Sequence, residues 1–122
     1  AFLDRVPENV IVVLDEAYTE YVETDDVPNG VDYLGRYSNL LVSRTFSKAY
    51  GLAALRVGYG LSHPPIADAL NRVRQPFNVN SLALAAALAA LEDEAYLIES
   101  RRINRIGMQQ LDLDLLLILN LF

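Results

Sequence analysis

The run Val10–Leu14 constrains the fold of this chain more than any other stretch. All five of its residues are apolar, and four of them are β-branched. Such a run is typical of a strand buried on both faces, as in a parallel sheet covered by helices. We therefore predict an α/β fold with a mainly parallel sheet flanked by helices, in which this strand ends at Asp15.

Two further segments have strand character. The apolar run Asn39–Thr45 predicts a second strand, and Arg56–Ser62 predicts a third, whose glycines indicate close approach of the backbone. Between and after them the spacing of apolar residues, with proline and capping signals, predicts helices. We expect helices at 66–74, 82–91 and 93–110, a short helix at 31–37, and the end of a helix at 2–6.

Composition excludes several classes of function. A net charge of −6 argues against a nucleic-acid partner, because such proteins carry a basic stripe. The arginines at 101, 102 and 105 are the only basic cluster and fit a solvated helix face. With no cysteine, the chain has no disulfide, thiolate metal site or cysteine nucleophile, and we predict no metal site.

No apolar run approaches the roughly 20 residues of a membrane span. No secretory leader pattern is present either, so we expect no membrane partner and a cytoplasmic location.

The chain starts at Ala1 and its one methionine is Met108, which suggests a piece of a longer protein. One folding unit with a modest core is expected from 122 residues. The single histidine, His63, has no carboxylate near it in sequence and is not expected to be a general base.

Lys48 is the only lysine, whereas the other nine cationic side chains are arginines. An ammonium can lose its proton when partly buried and attack a carbonyl to form a Schiff base, which a guanidinium cannot do. Thr45 and Ser47 place hydroxyls beside this amine, and Arg56 offers a planar fork suited to phosphate. The group predicts a site for an aldehyde that carries a phosphate; a solvent-exposed lysine without a role is the alternative.

These segments resemble a known family. Ser43–Leu52, together with Leu55–Tyr59, is similar to the cofactor-lysine segment of the fold-type I, class I/II aminotransferases. Leu14–Tyr18 and Arg74–Asn80 extend the likeness, which runs from about residue 2 to about residue 111. The resemblance implies that residues 1–92 are part of the cofactor-binding large domain and that 93–110 form a long helix leading toward the small domain. The leucine-rich tail, 111–122, has no counterpart in this comparison.

The resemblance implies pyridoxal 5'-phosphate as the cofactor. Lys48 would hold it covalently, be displaced by the substrate amine, and then carry the substrate proton. The cofactor's phosphate would be anchored by Arg56 together with Thr45 and Ser47.

Two roles are open for Asp15. A carboxylate at the end of a strand can cap the next segment, and the spacing alone does not favour either role. The resemblance implies that Asp15 pairs with the pyridinium nitrogen, which keeps the ring an electron sink, and that Tyr18 donates to the phenolic oxygen.

The resemblance further implies transamination of histidinol phosphate with 2-oxoglutarate, carried out by a longer, homodimeric enzyme. An aromatic aminotransferase or a phosphothreonine-type decarboxylase would use the same residues. A non-catalytic, truncated remnant is the alternative of another class. The isolated chain is expected to be inactive, because the family's ring-stacking residue and substrate-binding arginines cannot be located in it.

Overall fold

The structure is a computed structural model that describes residues 2–119, with side chains described as far as residue 115. The strands are β1 (Val12–Asp15), β2 (Leu40–Thr45) and β3 (Gly58–Ser62). The α-helices are α1 (Pro64–Val73), α2 (Ser81–Glu92) and α3 (Glu94–Leu119). Short 3-10 helices lie at Leu3–Arg5, Thr19–Tyr21, Gly30–Tyr33 and Ala53–Leu55.

The α/β class is confirmed, and the described sheet is mixed. Its strand order is β1-β2-β3, with β1 parallel and β3 antiparallel to β2. The segment between β2 and β3 contains only a 3-10 turn. A parallel return generally requires a longer crossover, usually a helix, so this short segment agrees with the antiparallel pairing of β2 and β3. At the start of β3 the strands lie very close, since a Cβ on Gly58 would be 2.7 Å from the Arg44 carbonyl oxygen.

The expectation that the first strand is buried on both faces is wrong for this chain. β1 pairs only with β2 in the described sheet, and Val13 is 59% exposed. The buried strand is β2, where Leu40 and Val42 have no exposed surface. Apolar character therefore identified the strand correctly but did not show which strand is covered.

The core lies where α2 packs against the segment that follows β2. The small residues Ala83 and Ala87 of α2 are buried and allow this close approach. The Phe46 ring has its centroid 4.9 Å from that of Tyr50 and 5.6 Å from that of Tyr59. This core fixes the position of the Phe46–Tyr50 segment and hence of the lysine within it.

The predicted helices are present, with shifted ends. α1 begins at Pro64, because proline is favourable in the first turn of a helix. Asn80 caps α2, its Oδ1 accepting from the Ala83 N–H at 2.8 Å. α3 continues past the predicted end at Gln110 to Leu119, so the first part of the leucine-rich tail is helical. The last residues of the tail, 120–122, lie outside the described residues. The expected helices near 31–37 and 2–6 are single 3-10 turns.

Candidate cofactor site

The candidate site lies where β1 and β2 end side by side. Asp15 is the register partner of Ser43, and the Ser43 hydroxyl lies 3.4 Å from Asp15 Oδ1. The Glu16 N–H donates to the Ser43 carbonyl at 2.9 Å, which extends the ladder by one residue. The segments that follow both strands therefore leave the sheet together.

The Asp15 carboxylate holds the turn after β1. Its Oδ1 accepts a hydrogen bond from the Ala17 N–H, two residues on, at 3.1 Å. The next helical turn, Thr19–Tyr21, follows Tyr18 and has no side-chain cap, so Asp15 does not cap it. The Asp15 side chain is exposed at the same edge as the lysine segment, and its contact with a ring nitrogen stays a prediction.

Tyr18 and Lys48 are brought together, although they are far apart in sequence. Lys48 Nζ lies 5.3 Å from the centroid of the Tyr18 ring, which is cation–π distance. Both side chains are exposed, Tyr18 by 58%. The amine is therefore accessible to a small molecule and has one aromatic hydroxyl side chain against it.

Thr45, Ser47 and Arg56 form the second part of the site. The Ser47 N–H donates to Thr45 Oγ1 at 3.1 Å. Arg56 Nη1 donates to the Ser47 hydroxyl at 3.4 Å and to the Ala53 carbonyl at 2.8 Å. A guanidinium beside a hydroxyl is a suitable pair of donors for phosphate oxygens.

Arg56 does not begin the third strand, as the sequence predicted. Its φ of 53° and ψ of 51° are left-handed, and the strand begins only at Gly58. This conformation ends the turn Ala53–Leu55 and is uncommon for a residue with a side chain. With this backbone conformation, the Arg56 guanidinium lies beside Ser47.

Sequence reasoning missed a partly buried ion pair beneath this edge. Glu16 Oε2 accepts from Arg44 Nε at 3.0 Å and from Nη2 at 2.8 Å, so the pair is bidentate. Burial lowers the pKa of Arg44, but hydrogen bonds involving Glu16 and Tyr59 outweigh it, and the net pKa is raised. Only two signals in the sequence indicated this pair. One is an arginine inside an apolar strand, and the other is a glutamate directly after a different strand.

A second missed feature is the contact between α3 and the segment after Tyr18. Arg101 Nε donates to the Glu20 carbonyl oxygen, and the Tyr21 hydroxyl lies 3.3 Å from that of Ser100. Arg105 pairs with Glu23 at 3.0 Å. The interpretation of these arginines as a solvated face is therefore wrong for Arg101, which is partly buried, and it fits Arg102 and Arg105, whose side chains are both 53% exposed.

Glu20 is the one buried charged residue of the described core. Its exposure is 8%, and Oε2 has no hydrogen-bond partner among the described residues. Burial raises the pKa of its carboxyl above the usual value of 4.5, against the lowering effect of its own backbone N–H and of Arg44 and Arg101.

His63 is not among the side chains that the structure brings to the candidate site. His63 Nε2 lies 2.6 Å from the Leu34 carbonyl oxygen, which gives the ring a structural contact. No group of three metal-ligating side chains occurs among the residues that the structure describes. Within the same residues, no helix has the length and apolar character needed to cross a bilayer.

The set of donors fits a phosphorylated aromatic aldehyde. One amine, one guanidinium and two hydroxyls can bind the aldehyde and the phosphate, while a carboxylate and a phenol at the adjoining strand end can hydrogen-bond a ring. These groups come from three segments that the sheet brings to one edge. In α/β sheets the carboxyl ends of strands are where ligands bind.

Comparison with known proteins shows the family to which the chain belongs. The family model described as aminotransferase class I and II matches residues 1–114, and the chain belongs to this family.

Among its relatives is histidinol-phosphate aminotransferase 2 of Pseudomonas fluorescens (strain Pf0-1), which is 74% identical over 111 residues. That match covers 91% of this chain and 30% of the relative, so the chain spans about a third of the relative's length.

Solved structures show the same fold. Histidinol-phosphate aminotransferase from Sinorhizobium meliloti, in complex with pyridoxal-5'-phosphate, aligns with a TM-score of 0.75 at 44% identity, over 82% of this chain and 27% of that one. L-threonine-O-3-phosphate decarboxylase from Porphyromonas gingivalis aligns with a TM-score of 0.62 at 29% identity, over 76% of this chain and 28% of that one. The family resemblance read from the sequence is confirmed.

Proposed function

We propose that this chain is the lysine-bearing part of a pyridoxal-phosphate-dependent aminotransferase that uses histidinol phosphate and 2-oxoglutarate. One observation carries the proposal: the only lysine of a class I/II aminotransferase chain lies against Tyr18, at the joint end of two parallel strands. The names of the relatives support the substrates. The longer enzyme is proposed to be a cytoplasmic homodimer in histidine biosynthesis.

The roles of the catalytic side chains follow from their chemistry. Pyridoxal phosphate supplies an aldehyde and a ring that withdraws electrons from the substrate α-carbon. Lys48 would hold the cofactor through its amine and would be placed to accept the substrate α-proton as general base. The Asp15 carboxylate would favour the protonated form of the ring nitrogen through its charge, and the Tyr18 hydroxyl would donate a hydrogen bond to the phenolic oxygen.

Arg56 and its neighbours orient the cofactor. The guanidinium would bind the phosphate with two parallel hydrogen bonds, and the Ser47 hydroxyl already lies beside it. Thr45 holds the Ser47 backbone through its own hydroxyl, so the loop is fixed before the phosphate binds. Such preorganisation lowers the cost of ordering the loop on binding.

A decarboxylase is the second candidate. The fold similarity to L-threonine-O-3-phosphate decarboxylase favours it, and that reaction would use the same lysine, aspartate, tyrosine and arginine. The two candidates differ in product: an aminotransferase converts 2-oxoglutarate to glutamate, whereas a decarboxylase releases carbon dioxide.

Borohydride trapping on the 122-residue chain tests the cofactor role. The chain is incubated with pyridoxal phosphate, reduced with borohydride and mapped by peptide mass spectrometry. Label is expected on Lys48, because the terminal amine of Ala1 is the only other primary amine.

Lys48→Arg is the matched control, since it keeps the positive charge and removes the nucleophile. Label confined to Ala1, or equal total label on Lys48→Arg protein, would contradict the proposed role.

A further inference from the structure

A carboxylate clamp lies beneath the candidate site, and its described side-chain hydrogen bonds involve none of the side chains assigned to the cofactor. It consists of the Glu16 side chain, the Arg44 fork, the Asn29 side chain and the Gly30 N–H. Glu16 Oε1 accepts from the Gly30 N–H at 2.6 Å, while Oε2 accepts from both Arg44 nitrogens. Arg44 Nη2 also donates to Asn29 Oδ1 at 2.8 Å.

The clamp joins three separate segments of the chain. Glu16 directly follows β1, Arg44 lies in β2, and Asn29–Gly30 begins a 3-10 turn. The side chains of Glu16 and Arg44 are 9% and 16% exposed, so water screens their attraction less than at a surface pair. Either charge left without the other would be costly, because a partly buried ion would lose its hydrogen bonds.

Steric fit shows that the clamp has little freedom. A Cβ added to Gly30 would lie 2.7 Å from Glu16 Oε1 and 2.5 Å from Leu14 Cδ2. Only a residue without a side chain lets the backbone approach the carboxylate this closely.

The clamp acts on the site through the backbone. Ser43 and Arg44 are consecutive in β2, so their side chains point to opposite faces, and Ser43 is on the face of Asp15. The Glu16 carbonyl accepts from the Thr19 N–H at 3.2 Å, which closes the turn that carries Tyr18. Fixing Glu16 therefore fixes the position of Tyr18 relative to the end of β2, where Lys48 follows.

We propose that Glu16 is a positioning residue, whose bidentate pair with Arg44 holds the Tyr18 turn against the Lys48 segment for cofactor binding. This inference rests on the proposed function. Glu16 touches neither Tyr18 nor Lys48; it holds in register the strand ends that present them.

The test compares Glu16→Gln with Glu99→Gln in the 122-residue chain. Glu16→Gln keeps the size and one acceptor but loses the charge, while Glu99→Gln removes an exposed pair with Arg102 on α3. Amide hydrogen exchange at Thr19 and Gly30, measured by NMR without cofactor, is expected to rise about tenfold in Glu16→Gln and to stay unchanged in Glu99→Gln.

Cofactor binding supplies the readout that a purely structural role would not change. Glu16→Gln is expected to weaken pyridoxal phosphate binding about tenfold and to alter the pH dependence of the bound cofactor's absorbance. Arg44→Lys, which keeps the charge but loses the fork, should show a smaller effect of the same kind and serves if Glu16→Gln does not fold.

Unchanged exchange at both amides would overturn the clamp itself. Faster exchange with unchanged cofactor affinity and absorbance would overturn the positioning role. Absence of label on Lys48 in the unmodified chain would instead overturn the proposed function, so the two failures are distinguishable.

Discussion

At the scale of single residues, the site is built from side chains of unequal exposure. Lys48, Arg56 and Asp15 are exposed, whereas Ser47 is half-buried. The charged groups that would contact the cofactor can therefore be replaced without opening the core. Effects of such replacements on cofactor affinity can be separated from effects on folding.

Replacing Arg56 is expected to weaken cofactor retention more than replacing other arginines. A charge-assisted, bidentate contact contributes roughly 1.5–3 kcal/mol, which corresponds to about ten- to a hundredfold in affinity. Arg56→Lys is compared with Arg72→Lys, on exposed α1, by titration with pyridoxal phosphate. Equal losses in the two variants would show that Arg56 does not anchor the phosphate.

Glu20 gives the chain a pH-dependent stability. Burial raises the pKa of its carboxyl in the folded state above 4.5, so the folded state binds the proton more tightly than the unfolded state. Between the unfolded and folded pKa values, the free energy of unfolding therefore falls as pH rises. The carboxylate destabilises the fold at neutral pH, and this effect is absent below about pH 4.5.

Glu20→Gln is accordingly expected to raise the free energy of unfolding at pH 7 and to change it less at pH 4. Urea unfolding at both pH values, with Glu23→Gln as an exposed control, provides the measurement. A smaller stabilisation at pH 7 than at pH 4 would contradict the assignment.

At the scale of elements, the lysine segment is fixed by α2 and α3. The buried Phe46 and Tyr50 flank Lys48 and pack on α2, while Tyr96 of α3 contacts Gly51. Gly51 has φ +70° and lies against the Tyr96 hydroxyl, so it has neither the conformation nor the space for a side chain.

Gly51→Ala is therefore expected to destabilise the fold by about 1–2 kcal/mol from the left-handed backbone alone, with more from the Tyr96 contact. Tyr96→Phe in the same chain should recover part of that extra cost. Gly107→Ala is the control: a Cβ there meets no atom within 4 Å, and the helix should gain about 0.5–1 kcal/mol. Equal effects of the two glycine changes in urea unfolding would rule out the proposed constraint.

Local signals predicted the elements, and non-local contacts were the ones missed. The apolar run placed β2 within one residue, and the helix predicted at 82–91 matches α2 within one residue at each end. The pairing of Glu16 with Arg44 depends on the register of two parallel strands, which no local pattern encodes. No sequence signal indicated the left-handed backbone of Arg56 either. That conformation is set by the preceding turn, Ala53–Leu55, and by the contact of Arg56 with Ser47.

At the scale of the whole molecule, the candidate groups lie at an open edge. The chain spans about 30% of the length of its relatives, and Val13 and Tyr18 are more than half exposed. Electrostatic help to a reaction is strongest where water is excluded. We therefore expect the isolated chain not to convert histidinol phosphate above the rate given by free pyridoxal phosphate.

The most direct measurement uses a chimera in which the 111 matching residues of this chain replace the corresponding segment of the Pseudomonas fluorescens relative. Glutamate formation from histidinol phosphate and 2-oxoglutarate is followed beside the same chimera carrying Lys48→Ala. We expect repeated turnover by the first protein and a loss of at least a thousandfold in the second, since both the covalent link and the general base are removed. A folded chimera that binds cofactor but does not turn over, or turns over equally well without Lys48, would contradict the proposed role of Lys48.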